Sequence, residues 1–429
     1  MKKISKKTQV FLTVCVLASV MTGCGTDQET EKEKLTVCTG SIQADQVYDL
    51  IDAWQELGNG IETEVIVIPE DDETLAETRI TELRTEIMSG GGPDVFLLPC
   101  NINENEENAP ELFPNPEKAM YSDLFLPLDD YILNATYMDP AGWNQTIMDS
   151  GKTKEGQLLL PLTYQYYAYI FSNADLENPQ GLPESWEEFI NYENPAFTDI
   201  AGTNNLFAIP YTLGRLADYQ EEKLLFSEDD LQKRVEEIFT RYENSTADQT
   251  SIKPLAYGDV GRHFCETLDA VSTEDKTAFI LPNDEGGVTA YVTAYAAVNR
   301  NSKNPDQAFS LLDFLFSDEI MTGDGFPGDD SQIRIGSDCN IQDNYRDGIS
   351  VNLEAAQRMS KNPSSTVLLE QMDRRISEVR YYSTLENALY WMVYRCLAWD
   401  KDHEPPLNAE ERREVIHQTY QEMGMQLAE

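Results

Sequence analysis

The sequence is poor in the residues that most reaction chemistry relies on. Only three of its 429 residues are histidine, which leaves little room for histidine-based proton transfer or metal binding. Basic residues are also scarce: 32 Lys and Arg face 76 Asp and Glu, for a formal net charge of −44. A surface of that sign repels phosphate backbones and anionic head groups, so nucleic-acid binding by the main body is excluded. No apolar run reaches the roughly 18 residues of a membrane-spanning helix. Neither G-x-S-x-G nor H-E-x-x-H occurs, and Gly151-Lys152-Thr153 has Thr146 where a phosphate loop needs its first glycine. Asp324, Asp329 and Asp330 lack the spacing of a calcium loop. No cofactor, metal or catalytic centre is expected.

Cysteine is informative by its pattern. Beyond Cys15 and Cys24 near the N-terminus, Cys38, Cys100, Cys265, Cys339 and Cys396 are widely spaced and odd in number. That is neither a disulfide framework nor a zinc motif. Buried free thiols are favoured over a Cys38–Cys100 bridge between two strand ends.

What remains is ample material for packed domains. Hydrophobic residues make up 41% and aromatic residues 10%, and the length suits two to three domains at about 150 residues each. Lys2, Lys3, Lys6 and Lys7 precede a short apolar stretch, Val10 to Met21, and then Met21-Thr22-Gly23-Cys24. This resembles the lipobox of a bacterial lipoprotein signal, with Met21 where leucine is usual. The resemblance implies that residues 1–23 are removed, that Cys24 is acylated and that residues 24–34 form a flexible tether. The expected location is extracytoplasmic, anchored by lipid to the outer face of the cell membrane.

Strand and helix patterns then alternate. Leu35–Cys38 reads as a buried strand. Val47, Leu50, Ile51, Trp54 and Leu57 fall on one face of a helix. Val65–Ile68 reads as a strand, Leu75, Ile80, Leu83 and Ile87 as a helix closed by Gly90-Gly91-Gly92-Pro93, and Asp94–Pro99 as a third strand. Continuous apolar strands between helices predict a parallel sheet covered on both faces, and residues 101–151 read as irregular. Farther on, Leu158–Pro161, Tyr166–Phe171, Leu206–Pro210, Phe279–Pro282 and Val288–Val298 look strand-like. Helices are expected at Ser185 (an N-cap with Glu188 three residues on), across Leu231–Phe239, from Pro305, across Leu385–Leu397 and across Val415–Met423.

Four passages carry a family resemblance: GGGPDVFLLP (Gly90–Pro99), GQLLLPLTYQYYAYIFSNADL (Gly156–Leu176), LPESWEEF (Leu182–Phe189) and SKNPDQAFSLLDFLFSDE (Ser302–Glu319). In order and spacing they resemble the extracellular solute-binding proteins of ABC importers, in the group that includes maltose-binding protein. The resemblance covers about residues 35–320. It departs around Tyr257–Leu268, and Phe326–Asp330 matches a family loop only loosely. It implies an α/β fold, two-lobed and periplasmic-binding-protein-like, with multiple interlobe crossovers and a cleft between the lobes. The expected division gives lobe 1 residues 35–163 and 288–330, and lobe 2 residues 164–287 and 331–429.

In open α/β sheets ligands bind beyond the carboxyl ends of strands. Candidate ligand contacts are therefore Ser41 and Asn101 at two strand ends, Tyr164 and Tyr166 at the outgoing crossover, and Tyr211 and Arg215 after a strand-like segment. Asp284 and Gly286 at the return crossover and Tyr382 before a C-terminal helix complete the set. Aromatic faces beside Asp, Asn and Arg suit sugars. Trp54 and Trp186 read as structural, Asp94 as capping the turn before its strand, and Gly286-Gly287 as permitting a turn. The expected protein is a non-catalytic, monomeric binder of a small solute, an oligosaccharide first and a polyamine second, that delivers it to ABC permease subunits. The alternative of another class is a surface lipoprotein enzyme such as a glycosidase.

Overall fold

The computed structural model describes residues 34–69, 73–100, 110–176, 181–194, 197, 208–247, 256–259, 275–322, 348–358, 362–398 and 405–428. The first half builds as its periodicity requires. Strand β1 (Lys34–Gly40) leads into helix α1 (Ala44–Glu56), whose Val47, Leu50, Ile51 and Trp54 are buried. Strand β2 (Glu62–Ile68), helix α2 (Glu73–Met88) and strand β3 (Val95–Pro99) follow, with β1 parallel to β3. Trp54 is structural: its ring is fully buried and its Nε1 donates to Ser310 Oγ at 3.2 Å. Asp94 does more than cap a turn. Its carboxylate accepts from the Thr36 amide and hydroxyl at 2.8 Å and from Ser302 Oγ at 2.6 Å, tying β1 to the loop after the long central strand.

Strands β4 (Leu160–Gln165) and β5 (Tyr167–Ser172) run nearly end to end but belong to different sheets. Helices α3 (Trp186–Ile190), α4 (Ile209–Thr212) and α5 (Glu228–Ala247) come next. Segment 206–210 therefore does not end as a strand; Pro210 sits within the first turn of a short helix, where its missing N–H costs nothing. The Ser185 cap holds, with Oγ accepting from the Glu188 amide at 3.2 Å. The Glu188 carboxylate reaches back to the Glu184 amide rather than to Ser185.

Strands β6 (Ala256–Asp259) and β7 (Lys276–Ile280) flank β5 antiparallel in a three-stranded sheet. The eleven-residue β8 (Val288–Val298) returns to the larger sheet and is buried along its whole length. Helix α6 (Pro305–Leu315) follows, with proline in its first turn. Strand β9 (Ile349–Ser350), helix α7 (Pro363–Asp373), strand β10 (Ile376–Tyr381) and helices α8 (Thr384–Cys396) and α9 (Ala409–Ala428) complete the chain.

The larger sheet has seven strands in the order β9-β4-β8-β3-β1-β2, with β10 also paired to β8. It is mixed rather than parallel as expected, because β8 enters antiparallel to both β3 and β4. Strands β9 and β10, from the segment 331–429 expected in the second lobe, hydrogen bond into this larger sheet. The chain passes from the larger to the smaller sheet between Gln165 and Tyr167 and returns between Ile280 and Val288. Helix α9 packs on α8 and α5, and Arg412 bridges it to Glu236 Oε2 at 2.7 Å and Glu243 Oε1 at 3.1 Å.

Short helical turns at Pro116–Ala119, Asp129–Leu133 and Gln145–Asp149 break up the stretch read as irregular. Cys38, Cys100 and Cys396 are buried free thiols. Cys265, Cys339, Asp324, Asp329 and Asp330 lie outside the described residues. Among the described residues no helix is long and apolar enough to cross a membrane, and no group of His, Cys, Asp or Glu is placed to hold a metal ion.

Candidate functional site

Two strands run toward each other along one edge of β8. Pro99 of β3 pairs with Ala294, and Tyr381 of β10 pairs with Val292, so the carboxyl ends of both strands meet at Thr293. The Thr293 carbonyl accepts from the Cys100 amide at 2.8 Å, and the Cys100 thiol donates to the Tyr382 carbonyl at 3.3 Å. This is the kind of place where irregular chain ends gather polar groups.

A buried seam starts there and joins the chain crossings. Gln165, the last residue of β4, donates from Nε2 to the hydroxyls of Tyr211 at 3.1 Å and Tyr382 at 3.0 Å. Those two hydroxyls are 2.6 Å apart. The Tyr382 ring stacks on Tyr291 with centroids 4.3 Å apart. Arg380 donates to the Leu213 carbonyl at 2.7 Å, and Tyr291 donates to the Pro210 carbonyl at 3.1 Å, so helix α4 is pinned to the larger sheet through its backbone.

Glu386 faces Arg380 at 3.8 Å and is the third residue of a capping box closed on Ser383. Burial raises the Glu386 carboxyl above its ordinary range, and Arg380 opposes that shift. Glu117 is pushed up to about 7, chiefly by burial, with Arg215 pulling the other way. Glu111 is pushed up to about 8 by burial, against the attraction of Arg84. Taking carboxylates out of water is costly, and in each of the three the opposing guanidinium does not offset it.

Beside the seam lies an open groove of about 720 Å³ between α3, α5, the α4 exit turn and the return crossover. Its floor is an Arg–Trp platform. Arg234 lies over the Trp186 ring at 4.2 Å, donates to the Thr212 carbonyl at 2.7 Å and pairs with Asp284. Trp186 Nε1 donates to Glu237 Oε2 at 2.9 Å. Leu213 lines the groove while its carbonyl holds Arg380, so groove and seam share a wall.

The structure distributes the sequence-derived candidates unevenly. Tyr211 and Tyr382 are brought together in the seam, both buried. Tyr164 is buried and donates to Asp373, while accepting from Asn144 Nδ2 at 3.2 Å. Tyr166 is fully buried at the break between β4 and β5, so it shares no strand face with Tyr164. Arg215 and Asp284 are exposed and line the groove.

Gly286 is exposed at φ +82° in a turn that the Asn283 side chain closes by accepting from the Gly287 amide at 3.1 Å. Gly287 packs against Ser377 so closely that a Cβ would collide with it. Ser41 is half-buried at the β1–α1 turn, its amide donating to the Ile68 carbonyl at 2.9 Å. Asn101 and Cys24 lie outside the described residues.

Arg380, Glu386, Glu117, Arg234 and Glu237 were not anticipated. The Ser383-x-x-Glu386 pattern was readable from the sequence as a capping box, and here, unlike at Ser185, the box closes. Trp186 was expected to be structural, and it is buried, yet its edge also forms the groove floor.

No protein-family model and no curated protein matches this chain. Solved structures do. An extracellular solute-binding protein family 1 member from Alicyclobacillus acidocaldarius aligns with a TM-score of 0.52 at 13% identity, over 92% of this chain and 99% of that one. An ABC substrate-binding protein from Listeria monocytogenes, in complex with cycloalternan, aligns at 0.51 and 12% identity over 93% and 100%. A periplasmic oligogalacturonide-binding protein from Yersinia enterocolitica aligns at 0.52 and 10% identity over 92% and 100%. The chain has the two-lobed α/β fold of the extracellular solute-binding proteins of ABC importers.

Proposed function

We propose that this protein is the solute-capturing component of an ABC import system, binding an oligosaccharide between two lobes and handing it to a membrane permease. The observation that carries the reading is a fold shared over nearly the whole chain with binding proteins, two of whose structures are named for oligosaccharide ligands. The two chain passes between sheets supply the hinge that such capture needs. In this reading the larger sheet, including β9 and β10, is the core of lobe 1. The three-stranded sheet, with α3 to α5 and the packed helices α8 and α9, belongs to lobe 2.

The protein acts as a monomer and without a cofactor, and it returns the solute unchanged. A thermal-shift screen of the purified protein against oligosaccharides, polyamines and amino acids tests the ligand class. Stabilisation by an oligosaccharide alone supports the reading, and stabilisation by spermidine alone replaces it with a cationic solute. The latter has some backing from Asp230, Glu237, Asp284 and Glu285 at the groove.

Anchoring depends on Cys24 in this account. Cys24→Ser should release the protein into the medium or leave the precursor uncleaved, whereas undiminished lipid labelling would remove the anchor from the proposal.

A further inference from the structure

Between Phe113 and Phe125 the chain makes an excursion from the larger sheet. The two rings close its base, meeting edge-on at 5.2 Å, and Phe113 also meets Phe96 of β3 at 5.1 Å. The Leu126 amide then donates to the Val298 carbonyl at the end of β8, at 2.9 Å. Both feet of the excursion therefore stand in the core of lobe 1. At its tip is the helical turn Pro116–Ala119.

Lys118, in that turn, reaches elements of the other lobe. Its Nζ donates to the Leu427 carbonyl at 2.8 Å and lies 3.0 Å from Glu222 Oε1. Leu427 is in the last turn of α9, where unpaired carbonyls and the helix dipole favour a cation. Glu222 is in the bend of a hairpin that pairs Ala217–Asp218 with Lys223–Leu224. Just past the hairpin, the Phe226 carbonyl accepts from Tyr420 Oη of α9 at 3.1 Å, so hairpin and helix are tied together. Glu222 is held at φ +50°, which is uncommon for a residue with a side chain. Such strain persists only where the surroundings impose it, and it gathers at functional positions. Beside Lys118, Glu117 is buried and feels the charge of Arg215, which precedes the same hairpin. Opposite charges thus face each other twice.

The Pro114 carbonyl, just before the turn, accepts from the Thr384 amide at 3.0 Å, three residues past the end of β10. The turn therefore stands by the meeting point of the carboxyl ends of β3 and β10, on the side where open α/β sheets bind ligands. We propose that Lys118 forms an interlobe latch: by gripping Glu222 and the end of α9 it holds the two lobes together before solute arrives. The inference rests on the lobe division proposed above and adds to it what sets the balance between open and closed forms. A partly exposed ion pair is modest in strength and screened by salt, so the latch biases the lobes without locking them. Losing it lowers the fraction of protein in the closed form, and with it the apparent affinity for solute.

The test is single-molecule energy transfer on the purified, solute-free full chain, with dyes replacing the exposed Glu62 of β2 and Glu187 of α3. Lys118→Met removes both contacts, and Glu222→Gln removes the ion pair while keeping the bond to Leu427. The swap Lys118→Glu/Glu222→Lys restores opposite charges in reverse. Each single variant should raise the long-distance population about two- to fivefold, and the swap should return part of it. Salt at 0.5 M should open wild type and change the variants little. Glu222→Gln should leave the melting temperature within a degree or two, which separates an opened latch from a weakened fold. Two distances in wild type with unchanged populations in both single variants overturns the latch and leaves the hinged-capture reading standing. A swap as open as the single variants overturns the charge pairing on which the latch depends. One narrow distance in every sample overturns the latch and the moving lobes together.

Discussion

The hydroxyls of Tyr211 and Tyr382 stand 2.6 Å apart, and Gln165 donates to both. The three residues come from α4, from the end of β10 and from the end of β4, so one small triangle of polar atoms joins the parts of the chain that cross between sheets. Tyr382→Phe removes one corner and leaves a buried amide and a buried hydroxyl short of a partner. The expected cost is about 1–2 kcal/mol of stability. Urea denaturation with an unchanged m-value and a lowered midpoint would show it, whereas an unchanged midpoint would mean that the triangle contributes nothing.

Arg380 carries more. It is 2% exposed, faces the buried Glu386 carboxylate at 3.8 Å and holds the Leu213 carbonyl. Arg380→Met strands Glu386 in the interior and should cost about 3–5 kcal/mol. The double variant Arg380→Met/Glu386→Gln should recover part of that loss. Strictly additive losses in a double-mutant cycle would rule out the coupling.

Stability should depend on pH through Glu117. Burial raises its carboxyl from the ordinary 4.5 to about 7, so the folded chain holds that proton more tightly than the unfolded chain does. Its contribution is therefore full below about 4.5 and is lost as the pH rises through 7. Arg215, Glu386, Arg380 and Glu378 are the charged groups acting on it. Glu117→Gln should flatten the decline in melting temperature between pH 5 and 8, removing on the order of 1–3 kcal/mol of pH dependence. A variant whose pH profile parallels wild type would contradict this.

Tyr166 is fully buried where β4 gives way to β5. Truncating a large buried aromatic leaves a cavity, so Tyr166→Ala should destabilise the protein by about 3–5 kcal/mol. Thermal unfolding reads this directly. A melting temperature near wild type would move Tyr166 out of the core.

The regular parts of this fold were legible where periodicity and caps agreed. α1, α2, α6, α8 and α9 each bury an apolar stripe that the sequence displays. Sheet membership was less legible, because β4, β5 and β8 are buried on both faces almost throughout and period alone does not say which sheet a strand joins. Strand β10 escaped notice: its Ile376-Ser377-Glu378-Val379-Arg380 run is polar by composition, and the Leu213 carbonyl to which Arg380 Nη2 donates is brought near only by the folded chain. Arg215 was singled out for its place after a strand-like segment and Asp284 for its place at the return crossover, and both line the groove. Arg234 was not, because its partners Trp186, Thr212 and Asp284 are scattered in sequence.

The central claim is that the chain captures an oligosaccharide and does not alter it. Titration calorimetry of the purified protein with neutral oligosaccharides tests this most directly, because binding and turnover differ in the shape of the heat signal. The account predicts discrete injection heats that saturate at one or a few sites and return to baseline for at least one sugar. Sustained heat that continues until the sugar is consumed, or no saturable heat with any oligosaccharide, would contradict it.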